Sequence, residues 1–500
     1  MTLVMLLEMV ASAFGLRRAA QSGERSLTYG ELAARAGVGA STIHRLAADS
    51  LVYLATTDVA FPVAIFAAAW AGVPIIPLNY RLSDERLAEL LARHPRALVV
   101  TDDPARAERL AAEPVAVMTL DAWLDATDPS ATGPTQGDGD RPSPSETDGD
   151  DIAVLLYTSG TTSEPKAVVL RHRHLAAYII TSIEFGAADE ADAALICVPP
   201  YHIAGLANTI TSVYSTRRIR YLPAFEPHAW LEAVRADAIT HAFLVPTMLS
   251  RVVDALDGAV VEGTALRALS YGGARMPVTV LERALDAFPD VGFVNAYGLT
   301  ETSSTLAILT PDDHRIARSG DAAARARLGS AGRLIPGVEV EIRDGEIWCR
   351  GEQISGEYLG RAAATDEDGW FPTRDRGWFD DDGYLFIEGR ADDTIIRGGE
   401  NIAPAEIEDV LLTHPDVADA AVVGVPDDEW GQRIEAAVVL RDGATIAAED
   451  LRSYCRDRLR SSKTPDRIAV WDALPHTDTG KLMRRAVAAA MTVPTRQERP

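Results

Sequence analysis

Short apolar runs alternate with helix-like segments over much of the chain, and this alternation constrains the fold more strongly than any other feature. Residues 51–55 and 97–100 are typical of buried strands, whereas residues 84–93 have the spacing of a helix. Strands that are joined through helices pair in parallel and are covered on both faces. The sequence therefore predicts an α/β fold of layered sheets and helices. Further strand-like runs cover residues 152–157, 193–198, 242–245 and 268–271.

The pattern changes in the last third of the chain. Residues 339–342, 346–349 and 384–388 are short strand-like runs with turn residues between them, which indicates a β-rich subdomain. A smaller unit follows from about residue 392 to the end. We expect a large N-terminal domain and a small α+β C-terminal domain, with the boundaries 1–390 and 391–500.

Three stretches bear on targeting signals and linkers. Residues 2–16 are apolar, but Glu8 interrupts them and no basic residue precedes them, so they predict an amphipathic helix rather than a signal peptide. Residues 59–78 contain three prolines and a glycine, which predicts a core helix followed by a strand and no membrane span. Residues 128–151 are rich in Gly, Pro, Ser, Thr and Asp, and we expect a flexible surface loop there.

The overall charge argues against two classes of partner. The 500 residues include 48 Lys and Arg against 73 Asp and Glu, a net charge of −25. Because this charge repels nucleic-acid phosphates and anionic lipids, we expect neither as a partner. An anionic substrate then needs locally concentrated positive charge. The three cysteines, Cys197, Cys349 and Cys455, lack metal-ligand spacing, and a cytoplasmic location suits them best.

Lysine is nearly absent from the chain. Only three of the 48 basic residues are lysine, namely Lys166, Lys463 and Lys481. A high-GC coding bias explains a general replacement of lysine by arginine, but it leaves open why three lysines persist. A compact ammonium and a planar guanidinium are not interchangeable. We therefore treat the three lysines as candidate functional residues.

A loop rich in hydroxyl groups follows the strand-like run at 152–157. Hydroxyls and exposed backbone N–H groups donate to phosphoryl oxygens, glycine permits close approach, and an ammonium offsets charge. The loop lacks the GK[ST] ending of a Walker A motif, and no convincing GxGxxG follows a strand elsewhere. An ordinary Ser/Thr-rich loop is the alternative for this segment in isolation. The loop reads Thr158-Ser159-Gly160-Thr161-Thr162-Ser163-Glu164-Pro165-Lys166.

Further motifs follow in order, and together with this loop they resemble those of the adenylate-forming superfamily. That superfamily includes acyl-CoA synthetases, luciferases and the adenylation domains of peptide synthetases. The resemblance extends from about residue 27 to residue 485. The matching segments are PPYH at 199–202, YGGA at 271–274, NAYGLTE at 295–301, RD at 374–375, GRADD at 389–393, GGEN at 398–401 and PxxxxGK at 475–481.

The resemblance implies that a carboxylate attacks the α-phosphorus of ATP to form an acyl-adenylate. The implied catalytic residues are Lys481, Glu301, Thr300 and His202. Lys481 would offset the charge on both anions, Glu301 would hold Mg²⁺, and His202 would line the acid pocket. Nucleotide binding is implied for Thr158, Ser159, Gly160, Thr161, Thr162, Lys166, Gly272, Gly273, Ala274, Asn295, Ala296, Tyr297, Gly298, Asp375 and Arg390.

The same resemblance implies that the small domain moves. Asp392 matches a hinge about which this domain rotates after adenylation, so that Lys481 leaves the site and an acceptor tunnel forms. The tunnel residues would be Gly398, Gly399, Trp430 and Lys463.

Departures from the family pattern leave the acceptor open. Ser163 and Ala167 stand where the family usually has glycine, and Lys463 lacks the basic or aromatic companions that hold the nucleotide end of CoA in many CoA ligases. We favour a ligase that joins a small carboxylic acid to CoA, and we allow for a homodimer. One alternative is an adenylating enzyme with a carrier-protein thiol or an amine as acceptor, including a diazotase-like enzyme that adenylates nitrite. Another is a nucleotide-binding scaffold without catalysis.

Overall fold

The computed structural model describes residues 1–111, 114, 116–130, 147–158, 166–320, 322–427, 429–477 and 481–492. The helices are α1 (Leu3–Phe14), α2 (Tyr29–Arg45), α3 (Ala60–Trp70), α4 (Asp84–Leu91), α5 (Pro104–Leu110), α6 (Leu120–Ala126), α7 (His172–Ser182), α8 (Ile203–Tyr214), α9 (Pro227–Ala236), α10 (Pro246–Leu256), α11 (Val278–Ala287), α12 (Pro311–Ser319), α13 (Ala322–Ala326), α14 (Pro404–Leu412), α15 (Ala448–Arg456) and α16 (Arg484–Thr492).

The strands up to residue 309 are β1 (Arg18–Ser22), β2 (Arg25–Thr28), β3 (Ser50–Leu54), β4 (Ile75–Pro77), β5 (Ala97–Thr101), β6 (Ala116–Thr119), β7 (Ile152–Thr158), β8 (Lys166–Arg171), β9 (Ala193–Ile196), β10 (Arg218–Tyr221), β11 (His241–Leu244), β12 (Ala268–Gly272), β13 (Gly292–Leu299) and β14 (Ser304–Leu309). The later strands are β15 (Arg333–Leu334), β16 (Glu339–Arg343), β17 (Glu346–Arg350), β18 (Phe371–Phe379), β19 (Leu385–Arg390), β20 (Ile395–Arg397), β21 (Glu400–Ile402), β22 (Val417–Asp427), β23 (Gly431–Leu440) and β24 (Arg467–Val470).

Two large sheets form the body of the protein. One has the order β15-β14-β13-β12-β11-β9-β10-β1-β2 and is parallel from β13 through β1. The other has the order β6-β5-β3-β4-β7-β8 and is parallel from β6 through β7. Helices connect the parallel strands, as crossovers between parallel strands require. The predicted α/β fold of layered sheets and helices is confirmed.

Helix α3 and the strand after it account for the long apolar stretch at 59–78. Every α3 residue from Ala60 to Ala69 is buried, because the helix packs inside the protein and has no polar face. Gly72 ends the helix with a φ of 69°, the left-handed conformation that glycine adopts without strain. β4 then pairs with β3. The prediction of a core helix followed by a strand is confirmed, and no helix in the described ranges is long and apolar enough to cross a bilayer.

The last third contains smaller sheets, as predicted. β16-β17-β18-β19 form an antiparallel sheet, and a 3₁₀ turn at Ala391–Asp393 connects β19 to β20. Beyond the turn, β22-β23-β24 form a three-stranded sheet, against which α14 and α16 contact β22 and α15 contacts β24. The helix expected at residues 2–16 is α1, whereas most of the stretch expected to be a surface loop lies outside the described residues.

Candidate active site

Two of the predicted nucleotide segments meet at the carboxyl ends of neighbouring parallel strands. β12 and β13 pair in register, with Tyr271 opposite Asn295 and Gly272 opposite Ala296. Ligands of α/β proteins bind at this end of a parallel sheet, because the loops that follow the strands converge there. The topology therefore brings together motifs that stand about twenty residues apart in the sequence.

Close packing of the backbone explains the glycines at this edge. A Cβ atom on Gly272 would lie 2.2 Å from the carbonyl oxygen of Ala296, and one on Gly298 would lie 1.7 Å from that of Ser304. Gly273 has a φ of 81°, which side-chain-bearing residues rarely adopt. These positions admit only glycine without a shift of the backbone.

Tyr297, Asp375 and Arg390 form a hydrogen-bonded cluster beside this edge. The Tyr297 hydroxyl donates to Oδ2 of Asp375 over 2.7 Å, and Nε of Arg390 lies 3.2 Å from Oδ1. Burial raises the pKa of the Tyr297 phenol, and the negative charge of Asp375 raises it further. Tyr297 thus remains a protonated donor, and both oxygens of Asp375 have a polar partner.

Lys166 and Glu301 approach each other through Tyr358. The Tyr358 hydroxyl donates to Oε1 of Glu301 over 2.8 Å, and Nζ of Lys166 lies 5.4 Å from the Tyr358 ring centre. Tyr358 stands beside β8 because the N–H of Leu359 donates to the carbonyl of Ala167. Burial and the Glu301 carboxylate raise the pKa of the Tyr358 phenol.

Glu301 lies in the short 3₁₀ turn Thr300–Thr302, and its main-chain oxygen accepts a hydrogen bond from Ser355. The described residues contain no preassembled group of three His, Cys, Asp or Glu side chains for a metal. Mg²⁺ that arrives on nucleotide phosphates takes only one or two protein carboxylates, so a single glutamate suits it.

His202 stands at the N-terminus of α8, where its backbone N–H donates to the carbonyl of Pro199 over 3.1 Å. Burial lowers the pKa of its imidazole to about 4, and the nearby Lys481 ammonium contributes to the shift. The ring is therefore neutral near pH 7.

Lys481 enters this cluster from the C-terminal part of the chain. Its residue surface is open to solvent, yet protein atoms crowd its ammonium, and this desolvation lowers its pKa. Arg390 acts in the same direction, whereas the carboxylates of Asp375, Asp393 and Glu301 favour the charged form. The amine thus lies within electrostatic reach of both predicted nucleotide clusters.

A cleft of about 270 Å³ is lined by hydrogen-bond partners of His202 and Lys481, although neither of these two residues lines it. Pro199, which accepts the His202 N–H, lines one part of it, and His476 and Thr477 line another. Thr477 accepts the backbone N–H of Lys481 over 3.0 Å. The cleft therefore lies between the two segments that carry these candidate residues.

The predicted hinge residue directly precedes Asp393 of the Lys481 cluster, and the predicted tunnel residues make contacts within the C-terminal part. Asp392 is in the turn after β19, and Gly398 and Gly399 are in the turn between β20 and β21. The Gly398 N–H donates to the carbonyl of Trp430, and Lys463 pairs with Glu406 over 2.6 Å. These two contacts both lie within the C-terminal part.

Three residues with contacts at or beside the site, Tyr358, Arg275 and Arg484, were not predicted from the sequence. Arg275 directly follows the YGGA segment and pairs with Asp409 of α14, which links the large body to the C-terminal part. Arg484 begins α16 and pairs with Glu408 and Asp393. The only sequence feature that could have indicated Arg275 is its position directly after the YGGA segment. No sequence feature indicated Tyr358. The predicted residues Ser159, Gly160, Thr161 and Thr162 lie outside the described residues.

Comparisons with known proteins match nearly the whole chain. A family model described as AMP-binding enzyme matches residues 7–359, and one described as AMP-binding enzyme C-terminal domain matches residues 406–481. The chain is 32% identical over 488 residues to the 2-succinylbenzoate–CoA ligase of Bacillus licheniformis. This alignment covers 94% of this chain and 96% of that protein. It is 33% identical over 491 residues to the feruloyl-CoA synthase of an Amycolatopsis species, with coverage of 94% and 95%.

A solved structure agrees with these matches. The o-succinylbenzoate CoA synthetase of Bacillus subtilis, in complex with its acyl-adenylate intermediate, superposes with a TM-score of 0.80 at 28% identity, over 96% of this chain and 97% of that one. Its complex with ATP and magnesium ion gives a TM-score of 0.79 at 28% identity, over 96% and 98%.

Proposed function

Because the chain belongs to the AMP-binding enzyme family, we propose that it is an AMP-forming acid–CoA ligase. In the first step, a carboxylate oxygen attacks the α-phosphorus of MgATP, the bond to the bridging oxygen breaks, and pyrophosphate leaves. In the second step, the sulfur of CoA attacks the acyl carbon, the thiol proton passes to solvent, and AMP leaves.

The position of Lys481 is the observation that carries this proposal. The first step brings a carboxylate to a polyphosphate, so its barrier contains repulsion between anions, which a fixed cation offsets. Lys481 lies within electrostatic reach of Glu301 and Asp375, which belong to the two predicted nucleotide clusters. Its lowered pKa reflects desolvation, and a desolvated ammonium interacts with anions more strongly than one in water.

The nucleotide would lie along the carboxyl ends of β12 and β13. Asp375 accepts from the ribose hydroxyls, with its carboxylate oriented by Tyr297 and Arg390. Gly272 and Gly273 let the adenine ring approach the backbone, and the Tyr297 ring packs against it. Glu301 would hold Mg²⁺ through a carboxylate that Tyr358 orients.

The acid would bind in the cleft between His202 and the Lys481 segment. Phe225, Val245 and Met248 supply apolar lining, and Arg81 and Arg251 add positive charge that suits a carboxylate. The names of two relatives specify aromatic acids, 2-succinylbenzoate and ferulate. Aromatic carboxylates are therefore the first acids to test, followed by aliphatic acids and nitrite.

The second step would follow a rotation of the C-terminal domain about Asp392. In this proposal the N-terminal domain ends at residue 390 and the C-terminal domain begins at residue 391. In the described arrangement the Lys481 ammonium lies within electrostatic reach of the cluster, and the Gly398–Gly399 turn is packed against Trp430. Rotation would exchange them, so that one cleft serves both half-reactions. This proposal requires Lys481 in the first step only.

Exchange of labelled pyrophosphate into ATP tests the first step for each acid. Lys481→Ala is expected to lower this exchange by about 100-fold or more, because the barrier loses its charge compensation, and to leave thioester formation from supplied acyl-adenylate within about threefold. Arg485→Ala, an exposed cation nearby, is the matched control and should leave both steps unchanged.

The acceptor is tested separately with CoA, a carrier protein and amines. We expect the acyl-adenylate to disappear and AMP to be released only with CoA. Release with an amine or carrier protein instead would reassign the acceptor and retain the adenylation. Absence of acid-dependent exchange across the whole panel would overturn the proposed function.

A further inference from the structure

Arg484 joins three segments of the C-terminal part that are distant in sequence. Its Nη2 donates to Oε2 of Glu408 over 2.7 Å, and its Nη1 donates to the other oxygen of the same carboxylate. Nη1 also donates to the carbonyl of Val422 over 3.1 Å. Its Nε lies 3.4 Å from Oδ2 of Asp393, which directly follows the predicted hinge.

The partners of Arg484 hold it firmly. Glu408 is buried in α14, and its Oε1 accepts the N–H of Val422 over 2.7 Å. A bidentate pair with an immobilised carboxylate fixes both the position and the plane of a guanidinium. Arg484 begins α16, three residues after Lys481, so this anchor stands close to the amine along the chain.

A second anchor holds the other side of Lys481. Its backbone N–H donates to Thr477 Oγ1, and its carbonyl accepts the N–H of Thr477 over 2.8 Å. The backbone of Lys481 is thus held on both sides, whereas its long side chain has several rotatable bonds. What surrounds the ammonium therefore decides where it points.

Asp393 is the carboxylate that competes for this ammonium. Burial raises the pKa of the Asp393 carboxyl, and Arg484, Lys481 and Arg390 oppose that shift, which means that three cations lie near it. Arg484 makes an ion pair with Asp393, and no ion pair joins Lys481 to Asp393 in the parts of the chain that the structure describes. Loss of Arg484 would leave Lys481 as an available partner for this carboxylate.

We propose that Arg484 is a positioning residue: by engaging Asp393 beside the hinge, it keeps this carboxylate from drawing the Lys481 ammonium away from the reacting anions. The inference rests on the proposed function, because it assigns Arg484 a role only in the step that uses Lys481. In the second step, in which Lys481 has left the site, Arg484 has no such role.

The test compares Arg484→Gln with the double variant Arg484→Gln/Asp393→Asn. The single variant should lower kcat for adenylation by about 30-fold, with KM for ATP within about threefold, since a charged hydrogen-bond partner is lost away from the nucleotide. It should leave thioester formation from supplied acyl-adenylate within about threefold. Removal of the competing carboxylate in the double variant should restore adenylation to within about fivefold of wild type. Arg485→Gln is the control cation.

Failure of Asp393→Asn to restore adenylation in a folded Arg484→Gln protein would overturn the inference, as would an equal loss in both steps. Arg484→Gln leaves Glu408 as an unpaired buried charge, which is destabilising. If that variant does not fold, the same comparison is made in Arg484→Gln/Glu408→Gln, in which both charges are removed. If the wild-type protein adenylates no acid, the proposed function is wrong. If the wild type is active but Arg484→Gln/Asp393→Asn is not restored, only the role of Arg484 is wrong.

Discussion

The hydroxyl of Tyr358 donates a hydrogen bond of 2.8 Å to Oε1 of Glu301, although the two residues stand 57 positions apart in the chain. The orientation of the predicted magnesium ligand is thus set by a residue outside every motif of the sequence. Lys166 lies over the same ring, so one phenol contacts both a cation and an anion of the site.

Tyr358→Phe should raise the Mg²⁺ concentration for half-maximal adenylation by about tenfold, because partners that orient a metal ligand typically contribute that much to affinity. The measurement is the pyrophosphate exchange rate against free Mg²⁺ at saturating ATP. Tyr384→Phe removes a comparable hydrogen bond, 2.6 Å to Asp313, and should change nothing. An unaltered Mg²⁺ dependence in Tyr358→Phe would contradict the role of Tyr358 in orienting Glu301 for the metal.

Asp375→Asn should raise KM for ATP by about 10- to 100-fold, since a charged acceptor for hydroxyl groups is lost while the shape of the side chain is kept. It should also reduce the discrimination between ATP and 3′-deoxy-ATP, because that discrimination depends on the ribose hydroxyl. Asp381→Asn, at an exposed turn, is the control. Undiminished discrimination in Asp375→Asn would place the ribose elsewhere.

Gly399→Leu should lower thioester formation by about tenfold or more and leave adenylation within about threefold. In the described arrangement a Cβ at Gly399 meets no atom within 4 Å. After rotation, the added side chain would block the thiol. Gly443→Leu has a similar φ, 78° against 83°, and similarly open surroundings, so it controls for backbone strain. Equal losses in both variants would argue against the tunnel.

Stability should fall as the pH falls from about 6.5 to about 4, in part because of His172 and His174. Burial lowers the pKa of both to about 4, and Nδ1 of each accepts a backbone N–H, from Leu3 and Arg171 respectively. In this pH range the unfolded chain binds more protons than the folded one. Each histidine should therefore lower the free energy of unfolding by about 2 kcal/mol at pH 5 relative to pH 7.

Urea unfolding at the two pH values measures this effect. His172→Asn and His174→Asn keep an acceptor that does not titrate, and each should reduce the difference between the two pH values. The exposed His228→Asn should not. A wild-type difference that neither buried substitution reduces would contradict the assignment.

The elements of the core were predictable because their sequences carry their own periodicity. β3 and β5 are continuous apolar runs, and α4 buries Leu87, Leu90 and Leu91 on one face. The site was predictable only where motifs are local, as with Tyr297 and Glu301. The ordering of motifs identified the family, and the family models match the chain on both sides of the predicted hinge.

Contacts across the fold were not predictable. Tyr358 reaches Glu301 because its segment is hydrogen-bonded to β8, and Arg275 meets Asp409 only where the C-terminal part contacts the large body. Neither pair has a spacing that a helix or a strand would produce. The domain division, the hinge, the homodimer and the cytoplasmic location stay predictions.

The scarcity of lysine has a practical consequence once the three amines are located. Lys463 is held by Glu406, whereas Lys166 lies over Tyr358 and Lys481 lies in the predicted site. Two of the three side-chain amines thus face the same small region. An amine-reactive label would therefore serve as a footprinting probe of that region. Protection by MgATP could be measured on the few peptides that contain these lysines.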